Sequence, residues 1–247
     1  MSGLPKPYWE EPGITIFNSD CRNILPLLEP RSVDLVLTDP PYNCGKVYGS
    51  HDDSMGPGEY QEWLSGILGA CAELSRNVVY FPGTRNLLDC HRVLGPAGLI
   101  PIHVLGWHKK EFAGDKWNSG PAQCWEPIIW ASREEGRLFN TIFGTAGRDF
   151  LVVNSTHGHG IEHPCPKPPE VLRWLVGLFA TGTGPVLDPF AGSGTTALAC
   201  KALGIPCTLI EIEEKYCRIA VERLRQAVLP LEPEPKPEQL TLETPHG

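Results

Sequence analysis

The chain has 247 residues, a net charge of −8 and a pI near 5.5, which suits one large α/β domain and argues against a general polyanion binder. It has no run of 18 apolar residues and no basic targeting region, so neither a membrane span nor export is expected. Nine cysteines, without a repeated C-x-x-C, read as thiols of a reducing cytoplasm rather than a disulfide framework, with Cys71, Cys200 and Cys217 in apolar segments.

In chain order, 14–18 reads as a strand, 21–28 as a helix and 33–38 as a buried parallel strand built on Val33-Asp34-Leu35-Val36-Leu37. Just past it stands Asp39-Pro40-Pro41-Tyr42. In open α/β sheets, ligands bind outside the carboxyl ends of strands. The two prolines stiffen the backbone and remove two N–H donors. Asp39 and the Pro40 carbonyl can therefore face one donor-rich planar group, with Tyr42 as a flat wall beside it. An exocyclic amino group on a nucleobase has that shape. The alternative is a strand closed by a diproline turn, with Asp39 as a turn residue.

Residues 43–58 hold four glycines with Lys46, Tyr48 and His51, and read as a mobile loop over the site. A helix over 59–74 has apolar spacing at Trp63, Leu64, Ile67, Leu68, Cys71 and Leu74. A strand at 77–81, a helix at 84–93 and strands at 99–107 and 125–131 follow, the last two as an antiparallel pair. Residues 133–160 read as irregular and glycine-rich. Between 76 and 148, nine Lys/Arg stand against six acids, a basic stretch suited to a nucleic acid backbone. His157, His159, His163 and Cys165 have a spacing that is not a common zinc pattern, so no metal is expected.

The second constellation runs from Pro185 to Thr196: a strand ending in Asp188, a glycine-rich turn (Pro189-Phe190-Ala191-Gly192-Ser193-Gly194) and a helix start. An apolar helical segment and a strand, Pro206 to Ile212, follow. Glu211 lies 19 residues beyond Gly192, close to the spacing at which a βαβ unit sets an acid on a ribose diol. No Lys follows Gly194, so this is not a phosphate-binding P-loop, and the dinucleotide fingerprint fits poorly. A nucleoside cofactor without phosphates suits the pattern, S-adenosyl-L-methionine first, with Asp188 facing its ammonium group. A glycine turn serving only helix–strand packing is the alternative.

These residues resemble the amino-methyltransferases that act on exocyclic nitrogens of DNA bases. Asp39 to Tyr42 matches that family's Asp/Asn/Ser-Pro-Pro-Tyr/Phe element, and Asp188 to Thr196 its Asp-Pro-Phe-x-Gly-Ser-Gly-Thr-Thr element. His163-Pro164-Cys165-Pro166-Lys167-Pro168 matches a third, His-Pro-x-x-Lys-Pro, and leads into an apolar helix, Val171 to Phe179. The acidic strand end and following helix span Glu211 to Leu224. With the catalytic element ahead of the cofactor element, the order resembles the permuted β group. The resemblance implies an α/β, Rossmann-like S-adenosylmethionine-dependent methyltransferase fold, circularly permuted, with a mostly parallel sheet and an antiparallel hairpin.

It further implies Asp39, Pro40, Pro41 and Tyr42 as catalytic residues. Asp20, His163, Lys167, Asp188, Pro189, Phe190, Ala191, Gly192, Ser193, Gly194, Thr195, Thr196 and Glu211 would hold the cofactor. Asp20 has a second reading as a helix N-cap. Lys46, Tyr48, Lys109, Lys110, Arg133, Arg137 and Arg148 are candidates for DNA contact. Residues 1–229 are expected to form one catalytic domain with compact recognition loops at 43–58, 108–124 and 133–160, and 230–247 a Pro/Glu-rich flexible tail. DNA is the implied partner, with a homodimer and a companion restriction endonuclease left open. Adenine N6 is favoured over cytosine N4 because Asp stands first in the catalytic element. A protein-glutamine or RNA methyltransferase, and a binding protein without activity, are the remaining readings.

Overall fold

The computed structural model describes residues 3–45, 54–109, 123–134, 148–154, 167–181 and 184–227. Among them the chain forms β1 (Trp9–Glu11), β2 (Ile14–Asn18), α1 (Cys21–Ile24, continued by a 3-10 turn at Leu25–Leu27), β3 (Leu35–Thr38) and α2 (Pro57–Leu74). Then come β4 (Asn77–Tyr80), α3 (Cys90–Leu94), β5 (Ile100–Lys109), β6 (Trp125–Ser132) and β7 (Phe150–Val153). The last elements are α4 (Pro169–Phe179), β8 (Val186–Asp188), α5 (Thr195–Leu203), β9 (Cys207–Glu211) and α6 (Glu214–Gln226).

The strands make one sheet in the order β1-β2-β9-β8-β3-β4-β6-β5-β7. From β2 to β4 every pairing is parallel. β6 pairs antiparallel with β4 and with β5, and β1 antiparallel with β2, so these two strands alone in the sheet run against the rest. Helices cover both faces of the parallel part. All four residues of β3 are buried for that reason: Leu35 and Leu37 pack in the layer of α4, α5 and α6, and Val36 in the layer of α2 and α3. In α6 the buried residues Tyr216, Cys217, Ala220, Val221 and Leu224 follow the helical period. No described helix is long and apolar enough to cross a membrane.

The parallel register brings the carboxyl ends of β2, β9, β8 and β3 side by side at one sheet edge. Asn18 pairs with Glu211 across β2 and β9, and the Thr38 hydroxyl reaches Asp188 from β3 at 2.9 Å. The antiparallel β5–β6 pair is present as expected.

Three expectations change, and one strand, Trp9–Glu11, has no sequence reading. The helix over 84–93 is confined to Cys90–Leu94, because Asn86 spends its side-chain amide on the carbonyls of Tyr42 and Pro82 and the chain before it turns at Gly83 (φ +70°). The segment over 21–28 loses its α geometry after Ile24, where Pro26 enters the last turn. Phe150–Val153, expected to be irregular, is an edge strand parallel to β5, and its run of four apolar residues is the signal. Trp9–Glu11 turns back through Pro12-Gly13 (φ +80° at Gly13) to pair with β2. Residues 46–53, 110–122, 135–147, 155–166 and 228–247 lie outside the described residues.

Gly194, at φ +77°, opens α5 against α6: a Cβ placed there would stand 2.5 Å from that of Ala220. Gly194→Ala combines overpacking with a left-handed backbone and should lower the unfolding free energy by about 2–4 kcal/mol in urea titration.

Candidate active site

Asp39 leaves β3 with its two carboxylate oxygens on different donors. The Tyr42 hydroxyl donates to Oδ1, and Lys167 Nζ donates to Oδ2 at 2.5 Å. Lys167, just ahead of α4, also donates to the Tyr42 hydroxyl at 3.0 Å. Protein donors consume the later carbonyls of the element: Pro41 accepts from the Tyr60 hydroxyl at 2.8 Å and Tyr42 from Asn86 at 3.0 Å. The Pro40 carbonyl accepts from none of the described residues. Gly83 lies under the Tyr42 ring so closely that an added Cβ would meet ring carbons at 3.0–3.2 Å. Burial pushes the Asp39 carboxyl above its usual range; Lys167 and Tyr42 oppose that rise, and Glu126 adds to it.

Asp188, 4% exposed at the end of β8, accepts from the Thr38 hydroxyl at 2.9 Å, the Phe190 N–H at 3.1 Å and the Thr196 hydroxyl at 2.5 Å. All three donors are neutral, and no described Lys, Arg or His pairs with it. Burial therefore raises its carboxyl to about 6, the three donors pulling the other way. Glu211, at the end of β9, closes the glycine turn from the other side: the Gly192 N–H donates to Oε2 at 2.7 Å and the Glu213 N–H to Oε1 at 2.8 Å. Burial also raises Glu211, against those two N–H groups. From behind, Arg223 of α6 donates to the Ser193 carbonyl (2.6 Å), the Ser193 hydroxyl (2.9 Å) and the Thr195 hydroxyl (3.1 Å).

Both constellations open on one cavity of about 320 Å³. It is lined by Asp39 to Tyr42, by Asp188 to Ser193, by Thr195, Thr196 and Glu211, and by Asp20, Lys167, Trp63 and Phe81. The donor set fits a nucleoside with a cationic tail. Asp188 and Glu211 are buried carboxylates with unused lone pairs, one lacking a cation and the other beside a turn whose glycines admit close approach. S-adenosyl-L-methionine carries the matching groups: a cationic sulfur, an ammonium and a ribose diol.

Several expected site residues sit differently from their sequence reading. Gly194 does not line the cavity; it faces Ala220 and serves packing. Lys167 touches Asp39 and Tyr42 rather than the glycine turn. Asp20 is the N-cap of α1, accepting from the Arg22 N–H at 2.9 Å and pairing with the Arg22 guanidinium at 2.6 Å, while still lining the cavity. Lys109 is neutralised by Glu126 at 2.8 Å and Arg133 by Glu73 at 2.6 Å, so neither is an uncommitted phosphate contact. Arg148 is exposed beside β7. Lys46, Tyr48, Lys110, Arg137 and the cluster His157, His159, His163 and Cys165 lie outside the described residues, among which no group of metal ligands occurs.

The sequence reading missed Glu126, Arg223 and Gly83. A carboxylate near the start of the otherwise apolar β6 and a cation three residues past the buried Ala220 were their only signals.

Because burial raises the Asp188 carboxyl from the ordinary 3.8 to about 6, the folded protein keeps a proton that the unfolded chain has lost between those values. Its contribution is therefore fully present below pH 4 and lost as pH rises through 6, about 3 kcal/mol in total. Against Asp188→Asn, the unliganded wild type should lose about that much urea stability between pH 4 and pH 7; a constant difference would contradict the assignment.

A sequence profile of the DNA methylase family matches residues 99–222, half of the chain. The type II methyltransferase M.HpaI of Haemophilus parainfluenzae is 26% identical over 219 residues, 80% of this chain and 69% of that protein. Among solved structures, the M1.HpyAVI–SAM complex superposes with a TM-score of 0.66 at 23% identity, over 85% of this chain and 99% of that one. The cytosine-N4-specific PvuII DNA methyltransferase superposes with a TM-score of 0.75 at 16% identity, over 88% of each chain. The structural likenesses speak for the fold and the profile for the family. The chain belongs to the DNA methylase family, S-adenosylmethionine-dependent enzymes that methylate amino groups of DNA.

Proposed function

We propose that this protein methylates the exocyclic amino group of a flipped-out DNA base at a specific sequence, with adenine N6 as the acceptor. The observation that carries the proposal is the shared cavity: the amino-group acceptors of Asp39-Pro40 and the cation-deficient Asp188 open onto the same 320 Å³. Asp39, rather than Ser, at the head of the catalytic element favours adenine over cytosine.

An amino group inside a duplex is out of reach, so the target nucleotide leaves the stack at a cost of a few kcal/mol. Tyr42 receives the base on its ring, worth about 1–3 kcal/mol, and Gly83 holds that ring in place from behind. Asp39 and the Pro40 carbonyl accept the two amino N–H bonds. Their partial and full negative charges orient the nitrogen lone pair and stabilise the positive charge that grows on nitrogen as it is alkylated. Asp188 would supply negative charge to the cationic end of S-adenosylmethionine, and Glu211 would accept from its ribose hydroxyls. When bound, S-adenosylmethionine supplies an activated methyl group on a sulfonium sulfur. Holding acceptor and donor in one cavity replaces a bimolecular encounter with a positioned one. The loops 43–58, 108–124 and 133–160, with Arg148 exposed in the last, are the proposed readers of sequence.

With purified protein, duplex DNA and labelled cofactor, the methylated nucleoside should be N6-methyladenine. Asp39→Ala should lower turnover at least about a hundredfold with cofactor affinity by calorimetry nearly unchanged. Tyr42→Ala should slow methylation about tenfold, again with little effect on cofactor affinity. N4-methylcytosine as product would replace the acceptor; full activity in Asp39→Ala would overturn the mechanism.

A further inference from the structure

Lys167 stands between two carboxylates. Its Nζ is 2.5 Å from Asp39 Oδ2 and 3.5 Å from Glu126 Oε2. Glu126 lies on β6, and its other oxygen, Oε1, is held by Lys109 of β5 at 2.8 Å. Oε2 is buried, and among the described residues no group donates a hydrogen bond to it. A buried acceptor left without a donor is costly, and here a buried ammonium waits just beyond hydrogen-bond reach. The Phe81 and Tyr42 rings flank that ammonium at 5.0 and 5.3 Å and favour a cation at either end of its path.

We propose that Lys167 is a shuttling positioning residue, which occupies Asp39 in the protein without DNA and crosses to Glu126 Oε2 when a target amino group takes its place. The inference rests on the proposed function. Two physical reasons drive the move. The amino group needs the acceptor that Lys167 fills, and an ammonium left beside a nitrogen gaining positive charge would repel it. Glu126 offers the displaced cation an acceptor whose position Lys109 already fixes. Reaching Oε2 takes a displacement of about 0.7 Å, and clearing Asp39 Oδ2 takes a larger swing of the same flexible side chain. No proton changes hands: Lys167 stays an ammonium throughout.

The groups facing Asp39 are Lys167, Tyr42, Glu126 with Lys109 behind it, and Asp188. Lys167 lowers the Asp39 carboxyl and Glu126 raises it. Lys167→Met should therefore move the acid limb of the single-turnover rate to higher pH. Glu126→Gln should move that limb down and, with no second acceptor for Lys167, slow the plateau about tenfold. Adding Lys167→Met to Glu126→Gln should restore part of that plateau, because no cation is left trapped on Asp39. Additive losses in the double variant, or limbs that stay in place, would overturn the shuttle. The wild-type complex with target DNA and S-adenosylhomocysteine gives a reading that needs no variant. Lys167 should be hydrogen-bonded to Glu126 there, and an ammonium still on Asp39 would contradict the proposal. A wild type that methylates DNA and loses activity in Asp39→Ala, yet shows additive losses, overturns the shuttle alone. A wild type inert on every DNA overturns the proposed function with it.

Discussion

Asp188 is a buried carboxylate that, among the described residues, only neutral donors hold, and the arrangement around it organises the site. Its hydrogen bond from Thr38 ties the end of β8 to the end of β3, and so ties the glycine turn to the Asp39–Tyr42 element. Its bonds from Phe190 and Thr196 shape the turn between β8 and α5. A carboxylate kept out of water without a counterion raises its own proton affinity, and a cationic ligand relieves that cost on arrival. The site is thus prepared electrostatically for a positive charge at one end of the cavity before any ligand is present.

The other end follows a different rule. Asp39 already has a cation, Lys167, and a phenol, Tyr42, on its two oxygens. An acceptor that is satisfied in the free protein has to be vacated or shared when an amino group arrives. Glu126 turns this from an obstacle into a device, since it keeps a second acceptor within reach of the same ammonium. Arg223 plays a quieter part: a half-buried cation with three oxygen acceptors holds the turn that contains Gly192 and Gly194.

Much of this was legible in the sequence, and what was not has a common cause. β3, β8 and β9 are buried on both faces and so read as apolar runs, and their terminal residues Thr38-Asp39, Asp188 and Glu211 announce a shared edge. The glycine turn and the amphipathic α6 have local signatures. By contrast, the Lys167–Asp39 pair joins residues 128 apart, and the Arg223 contacts to Ser193 and Thr195 span 30 and 28 residues. No local pattern encodes such pairings. Charge counting could not show pairing for the same reason: Lys109 and Arg133 belong to a basic stretch in sequence, and folding sets each against an acid. Asp20 shows the intermediate case: it caps α1, as one of its two readings has it, and its side chain also lines the cavity.

The most direct test is to sequence DNA from cells expressing the protein, with a readout that separates N6-methyladenine from N4-methylcytosine. Adenine methylated within a single sequence motif, and unmodified when Asp39→Ala is expressed instead, is the result this account requires. A genome left unmethylated by the wild type, or methylated equally by the variant, would contradict it.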